Sequence, residues 1–268
     1  MALEGKNISK DNITQKCYMC ENIATSQEHV PPKCLFPEQK DTRGIDFKKN
    51  LIKVPSCDLH NTSKSDDDEF LMLSLSGIIT NNAVGQFHFL TKSDRAIRRK
   101  SKDFLNKQIL RNHKIVNLKI SEKEFKPISI GYPNIARLQS CFEHIAYGIY
   151  FHEYKTKFVG EIKIFFGFLE YEDTYMQTLK KFIKKKFDIE KELKLIKKGE
   201  NPLVFNYEFQ KPDKFGLFSV KLVFYGTTEI FIAYKPQSVD KPFDLVMELM
   251  NNGIKTIINL EDENFEFN

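Results

Sequence analysis

The sequence predicts an α+β fold in three parts: a small ligand-rich module over residues 1–80, a basic helical connector over 81–114, and an α+β remainder over 115–268. Three observations carry this expectation. Residues 17–60 hold four of the five cysteines, three of them in closely spaced pairs, among turn formers and with little apolar periodicity. Residues 82–112 set apolar positions at helical spacing among arginines and lysines. Beyond 115, β-branched and aromatic runs alternate with helical patterns.

Composition frames the rest. Across 268 residues, 41% hydrophobic and 29% charged residues are ordinary for a globular chain that can bury a sizeable core. A net charge of +5 permits a polyanionic partner without demanding one. No apolar run approaches the roughly 18 residues that span a bilayer. The first 16 residues, MALEGKNISKDNITQK, lack the apolar centre of a signal peptide. The expectation is a cytoplasmic chain with reduced thiols and no membrane contact. Its cysteines then point to metal or core rather than to a disulfide framework.

Taken in order, residues 1–16 are a polar lead-in. Asn50-Leu51-Ile52-Lys53-Val54-Pro55 reads as a short strand stopped by its proline. Asp66, Asp67 and Asp68 gather ahead of an apolar stretch from Phe70 to Ile79, as carboxylates do in the first turn of a helix, so a helix is expected over about 59–79. In the connector, Ile97, Phe104, Leu105, Ile109 and Leu110 form the buried stripe of a helix that also carries Arg95, Arg98, Arg99, Lys100, Lys102, Lys107 and Arg111. Strands follow at Ile115–Ile120 and Pro127–Gly131. Pro133 opens a helix through Tyr154, with Ile135, Leu138, Phe142, Ile145, Ile149 and Tyr150 on one face. Phe158–Leu169 reads as a strand and Tyr171–Lys186 as a basic helix. Leu203–Phe209, Phe215–Phe224 and Glu229–Tyr234 read as sheet strands, and the last 25 residues as a short helix and an acidic tail.

The chemistry concentrates at the N-terminus. Cys17-Tyr18-Met19-Cys20 and Cys57-Asp58-Leu59-His60 are two pairs with a two-residue gap, which lets both side chains of each turn face one ion. Four N/S ligands close a tetrahedron, so the expected ion is a structural zinc that staples a core-poor segment. Cys34 has no spaced partner and reads as a buried free thiol; Cys141 falls on an apolar helical face.

Between the pairs lies Glu28-His29-Val30-Pro31-Pro32, then Asn50-Leu51, and after the second pair Asn61 and Lys64. In this order CYMC, EHVPP, NLIKVP, CDLH, N and K resemble the HNH endonuclease family, the ββα-metal nucleases, over residues 17 to about 72. The resemblance implies an N-terminal ββα-metal zinc module and hydrolysis of phosphodiester bonds, most readily in DNA. It implies that Glu28 and Asn61 hold a catalytic Mg²⁺ or Mn²⁺ and that His29 is the general base. Asn50 matches the middle asparagine, which supports the loop and orients the histidine, and Lys64 would contact phosphate. The residue types suit this chemistry, since an imidazole titrates near neutrality and carboxylate oxygen suits a hard cation. The chain departs from the commonest pattern at His60 for Cys, Asn61 for His and Glu28 for Asp.

Arg95, Arg98, Arg99 and Lys102 are the expected phosphate contacts, with the lysines from 180 to 198 a second candidate. His88, His113, His144 and His152 have no spaced partners and read as structural. By analogy with other HNH chains that carry extra domains, residues from about 115 would dock or restrain the nuclease, with a regulatory protein as an expected partner and restriction or phage defence as a setting. The competing reading is a zinc-stapled module that binds nucleic acid or protein and does not cut.

Overall fold

The computed structural model describes residues 15–61, 65–119, 121–122, 124–192, 197–214, 216–239 and 252–267. Helix and strand are mixed throughout, as the α+β expectation requires. The N-terminal part begins with a tight reversal in which Lys16 bridges Ile23 and Cys17 N–H donates to Asn22 O at 2.9 Å. Strands β1 (Ser26–His29) and β2 (Lys53–Ser56) form an antiparallel ribbon, with Glu28 opposite Val54 and His29 opposite Lys53. The ribbon feeds a short helix, α1 (Asp58–Asn61), and then α2 (Ser65–Ser76). Of the helix expected over about 59–79, the described residues are helical at 58–61 and 65–76, and 62–64 lie outside them. Phe70, Leu71, Met72, Leu73 and Leu75 of α2 are all buried, so this helix is enclosed on every side.

The connector is helical but broken. α3 (Ala83–His88), a π-helical turn (Phe89–Ser93) and α4 (Asp94–Ile97) form one run, capped at its start by Asn82, whose side chain accepts from Gly85 N–H at 3.0 Å. Ser101 caps a second start, α5 (Lys102–Phe104), which passes into another π turn (Leu105–Ile109). Arg111 is no longer helical. It begins β3 (Arg111–Lys119), which pairs antiparallel with β4 (Phe125–Tyr132) as an isolated two-stranded ribbon.

α6 (Ile135–Tyr154) follows the sequence expectation closely. Asn134 caps it, and Leu138, Cys141, Phe142, Ile145, Ala146 and Ile149 bury one face at alternating steps of three and one. β5 (Gly160–Phe166), α7 (Thr174–Glu192), β6 (Lys198–Asn201), β7 (Phe205–Phe209), β8 (Phe218–Phe224) and β9 (Thr228–Pro236) follow. The strands make one antiparallel sheet in the order β5-β9-β8-β7-β6. Alternation decides what each face meets. Ile164, Phe166, Ile230, Ile232 and Tyr234 face the core that α6 covers, with Phe142 and Phe166 edge-on at 5.5 Å. Phe165 and Phe231 face the other way, onto Ile183 and Phe187 of α7.

Of the last 25 residues, 244–251, where the expected short helix would begin, lie outside the described residues; beyond them, β10 (Thr256–Leu260) and β11 (Glu263–Phe267) form an antiparallel hairpin. Phe265 and Phe267 alternate with exposed residues and pack on α7, with Phe182 and Phe265 at 5.3 Å. The acidic tail is in part the turn of this hairpin, where Asp262 and Glu263 each accept Lys185 Nζ at 3.0 Å. That contact ties up one lysine of the basic helix.

The N-terminal module and the sheet share a core. Cys17, Tyr18, Val30 and Phe70 belong to the same buried cluster as Phe142, Tyr225 and Tyr234. Polar ties reinforce it: Tyr225 OH donates to Leu35 O at 2.7 Å, and Thr228 Oγ1 donates to Asn81 Oδ1 at 2.8 Å. Among the described residues, no helix is long and apolar enough to cross a membrane.

Candidate metal centre and catalytic residues

The two cysteine pairs converge. Cys17, Cys20, Cys57 and His60 place one ligand atom each within 4.8 Å of the others. Cys20 Sγ and Cys57 Sγ lie 3.7 Å apart, and His60 Nδ1 lies 3.3 to 3.6 Å from the three sulfurs. A tetrahedral zinc with Zn–S near 2.3 Å and Zn–N near 2.0–2.1 Å sets S···S at about 3.8 Å and S···N at about 3.6 Å. The donor set therefore fits a metal such as zinc in both chemistry and spacing.

Local backbone explains the convergence. Tyr18 N–H donates to Pro55 O at 2.9 Å, which pins the first pair beside the end of β2. Cys57 O accepts from His60 N–H at 3.0 Å and Asn61 N–H at 3.1 Å, so the second pair is the opening turn of α1. Burial raises the Cys57 thiol, but hydrogen bonds from His60, Cys20 and Cys17 outweigh it and bring Cys57 to about 6. The thiolate is the form that binds metal.

Glu28 and His29 sit at the end of β1, on the ribbon that the knuckle anchors. Glu28 is 9% exposed and takes a hydrogen bond from the Tyr18 side chain. His29 is half-buried. Burial lowers its pKa, and the charges of Lys53 and Lys33 lower it further against the opposing pull of Glu28. Both effects favour the neutral imidazole, the form with a lone pair to accept a proton. Both residues line a small cavity of ≈ 20 Å³, about the room of one water molecule.

Three residues that sequence reasoning assigned to structure line the same cavity: Asp67, Asp68 and His144. Asp67 and Asp68 are helix N-terminal charges as expected, yet α2 also turns them toward Glu28. Asp67 accepts Arg137 Nε at 2.6 Å. His144 comes from α6, with its ring 6.1 Å from that of His60. Its Nδ1 lies 2.9 Å from Ser140 O, which fixes Nδ1 as the protonated nitrogen. No local spacing could have revealed it, because it arrives from more than a hundred residues away.

The other site residues fall elsewhere. Asn61 Nδ2 donates to Ser26 Oγ at 2.7 Å, and Ser26 is two residues before Glu28 on the same side of β1. Asn50 adopts a left-handed backbone (φ 50°) and lines a larger cleft together with Lys53. Lys64 lies outside the described residues. Among the described residues, the knuckle is the one group of three or more His, Cys, Asp or Glu ligands that converges on a point. Arg95 is bidentate on Asp41, Arg98 pairs with Asp94 at 2.8 Å and Arg99 with Glu69 at 3.4 Å. Lys102 is exposed. Arg95, Arg98 and Arg99 are therefore matched by carboxylates of this chain. In comparisons with known proteins, no family model, no curated protein and no solved structure matches the chain.

Proposed function

We propose that this chain is a divalent-metal-dependent endonuclease of the HNH type that hydrolyses phosphodiester bonds, in DNA as the first substrate to test. The observation that carries the reading is the Glu28-His29 pair lining a water-sized cavity on a ribbon beside a Cys₃His cluster that could hold a metal ion. His29, in its neutral form, accepts the proton of the attacking water. Glu28 and Asn61 would hold the catalytic cation, which when bound supplies positive charge to the phosphate and the leaving oxygen. Mg²⁺ keeps several waters and takes one or two carboxylates from protein, so a site with few converging protein ligands suits it. Asn50 supports the loop that leads into β2, and Lys64 would contact phosphate. The knuckle zinc has no open position and holds the scaffold.

A second reading, a zinc-stapled binding module without cleavage, draws on the Asn61 amide being engaged with Ser26 and on the paired connector arginines. A plasmid-nicking assay with Mg²⁺ or Mn²⁺ separates the two. Nicking by the native chain that His29→Ala removes supports the nuclease. Binding without nicking in either metal supports the module. A regulatory protein partner remains part of the proposal and is tested by co-purification.

A further inference from the structure

Beside the small cavity at Glu28 and His29 lies a larger cleft of ≈ 720 Å³. Three segments wall it: the approach to β2 with Asn50 and Lys53, the C-terminal end of α6 from His152 to Lys155, and the edge strand β6 with Lys197 before it. Asn201 ties the walls together by donating to Lys49 O at 2.9 Å. Val30 lines both the cleft and the smaller cavity, so the two are neighbours.

The cleft is cationic. Lys53, Lys155, Lys197 and Lys198 line it against Glu153 and Glu200. Glu153 is already occupied, holding Lys198 and accepting Tyr207 OH at 2.6 Å. Lys155 Nζ donates to His152 O at 2.6 Å, which covers a carbonyl at the negative end of α6 and leaves the ammonium charge facing the recess. Lys53 links this surface to the chemistry. Directly opposed residues of an antiparallel pair project on the same side of the ribbon, and Lys53 is opposite His29.

We propose that this cleft binds the phosphodiester backbone of a single-stranded polynucleotide and hands one phosphate, at Lys53, to His29. The last clause rests on the nuclease reading; the binding itself does not. The shape selects the substrate class. A recess of this volume admits on the order of two or three nucleotides of a single strand. A duplex holds its two backbones apart on a stacked base-pair core, so it is bulkier than one strand and fits the cleft less well. The lining offers ammonium groups rather than an array of fixed base-reading amides, so recognition is of backbone and is tolerant of sequence.

The test is fluorescence anisotropy with the full chain in the absence of divalent cation. The probes are a short labelled oligo(dT), the matching oligo(U) and the oligo(dT)·oligo(dA) duplex, each over a range of salt. The single strand should bind at least tenfold more tightly than the duplex. The comparison of oligo(dT) with oligo(U) decides between DNA and RNA as the source of the strand. Lys53→Gln/Lys155→Gln/Lys197→Gln should lower the slope of log affinity against log salt by about two, at roughly 0.7 per lost single-strand contact. These lysines have no described carboxylate partner, and an unchanged melting temperature confirms that the variant is folded. Single Lys197→Glu provides a second, milder variant that should weaken binding severalfold. An unchanged slope in the triple variant, or equal affinity for duplex, overturns the proposal. Nicking measured in parallel keeps the two readings apart. Native-like binding by the cleft variants with nicking intact sinks the cleft alone. Cleft-dependent binding with no nicking in any metal sinks the nuclease and leaves the cleft.

Discussion

Gly148 of α6 lies against Val30 so closely that a β-carbon at Gly148 would stand 2.6 Å from Val30 Cγ2. Val30 directly follows His29, so the long helix sets the position of the strand end that carries the proposed base. Gly148→Ala must displace Val30, or α6 with its buried face. Overpacking of this kind costs about 1–3 kcal/mol, partly offset by roughly 1 kcal/mol of helix propensity. The expected outcome is a melting temperature lower by a few degrees with zinc content retained, and a nicking rate reduced at least tenfold. A variant as active as the native chain would show that α6 does not position His29.

The knuckle should hold about one zinc per chain through purification, since four matched ligands bind far more tightly than the two proposed at Glu28 and Asn61. Cys57→Ser should lose it. Cys17 and Cys57 belong to the same buried cluster as the sheet, so the loss should not stay local. Limited proteolysis should open sites beyond residue 80 as well as before it. Metal analysis and a peptide map check both statements; full zinc loss with a native digestion pattern would refute them.

His29→Ala should abolish nicking while leaving zinc content and oligonucleotide affinity within about twofold of native, because the base is needed only as the bond breaks. Asn61→Ala should instead raise the Mg²⁺ concentration required. Parallel loss of binding and cleavage in His29→Ala would assign the imidazole to structure.

His88 gives the clearest pH dependence. It is fully buried beside Tyr225. Burial first, then the charges of Lys92 and Lys48, against a hydrogen bond with the Cys34 backbone and the charge of Asp41, lowers its pKa to about 4. The unfolded chain takes up this proton near 6.5, the folded chain only near 4. Stability is therefore complete above pH 6.5 and falls as pH drops toward 4, by about 3 kcal/mol at 1.4 kcal/mol per pH unit. In His88→Leu the difference in urea midpoint between pH 7 and pH 4.5 should shrink by most of that amount. An unchanged difference would place the acid sensitivity elsewhere.

The connector arginines should contribute little to nucleic-acid affinity. Asp41, Asp94 and Glu69 already pair with Arg95, Arg98 and Arg99, which leaves Lys102 as the one of the four with no ion pair among the described residues. Replacing all four with Gln should change the duplex salt slope by no more than about 0.9, one contact. A change of two or three would show that these ion pairs open on binding.

Short-range spacing made the centre legible, and long-range convergence did not. Cys17, Cys20, Cys57 and His60 announce themselves because each pair is local, and the stripe from Leu138 to Ile149 announces α6 for the same reason. His144 and Asp68 reach the Glu28 cavity through tertiary packing, which no periodicity records. α2 gave no clean stripe because it is enclosed on all sides. The C-terminal hairpin was readable in the alternation of Phe265 and Phe267, but the acidic turn between its strands weighed toward a tail. Arg95, Arg98 and Arg99 show the opposite failure. Sequence displays their charge and hides the carboxylates, up to dozens of residues away, that pair with them.

The turn between β8 and β9 reaches far from its sheet. Tyr225 O accepts from Asn82 N–H at 2.8 Å, Thr227 Oγ1 donates to Thr80 O at 2.8 Å, and a β-carbon on Gly85 would stand 2.7 Å from Tyr225 Cβ. For anyone dissecting this chain, that turn is a keystone. An expression fragment ending at residue 114 would retain every ligand of the metal centre yet lose the wall on which Leu35, Asn81 and Gly85 rest. It would present Val30, Phe70 and Leu75 to solvent and aggregate, and its inactivity would say nothing about whether the intact chain cuts.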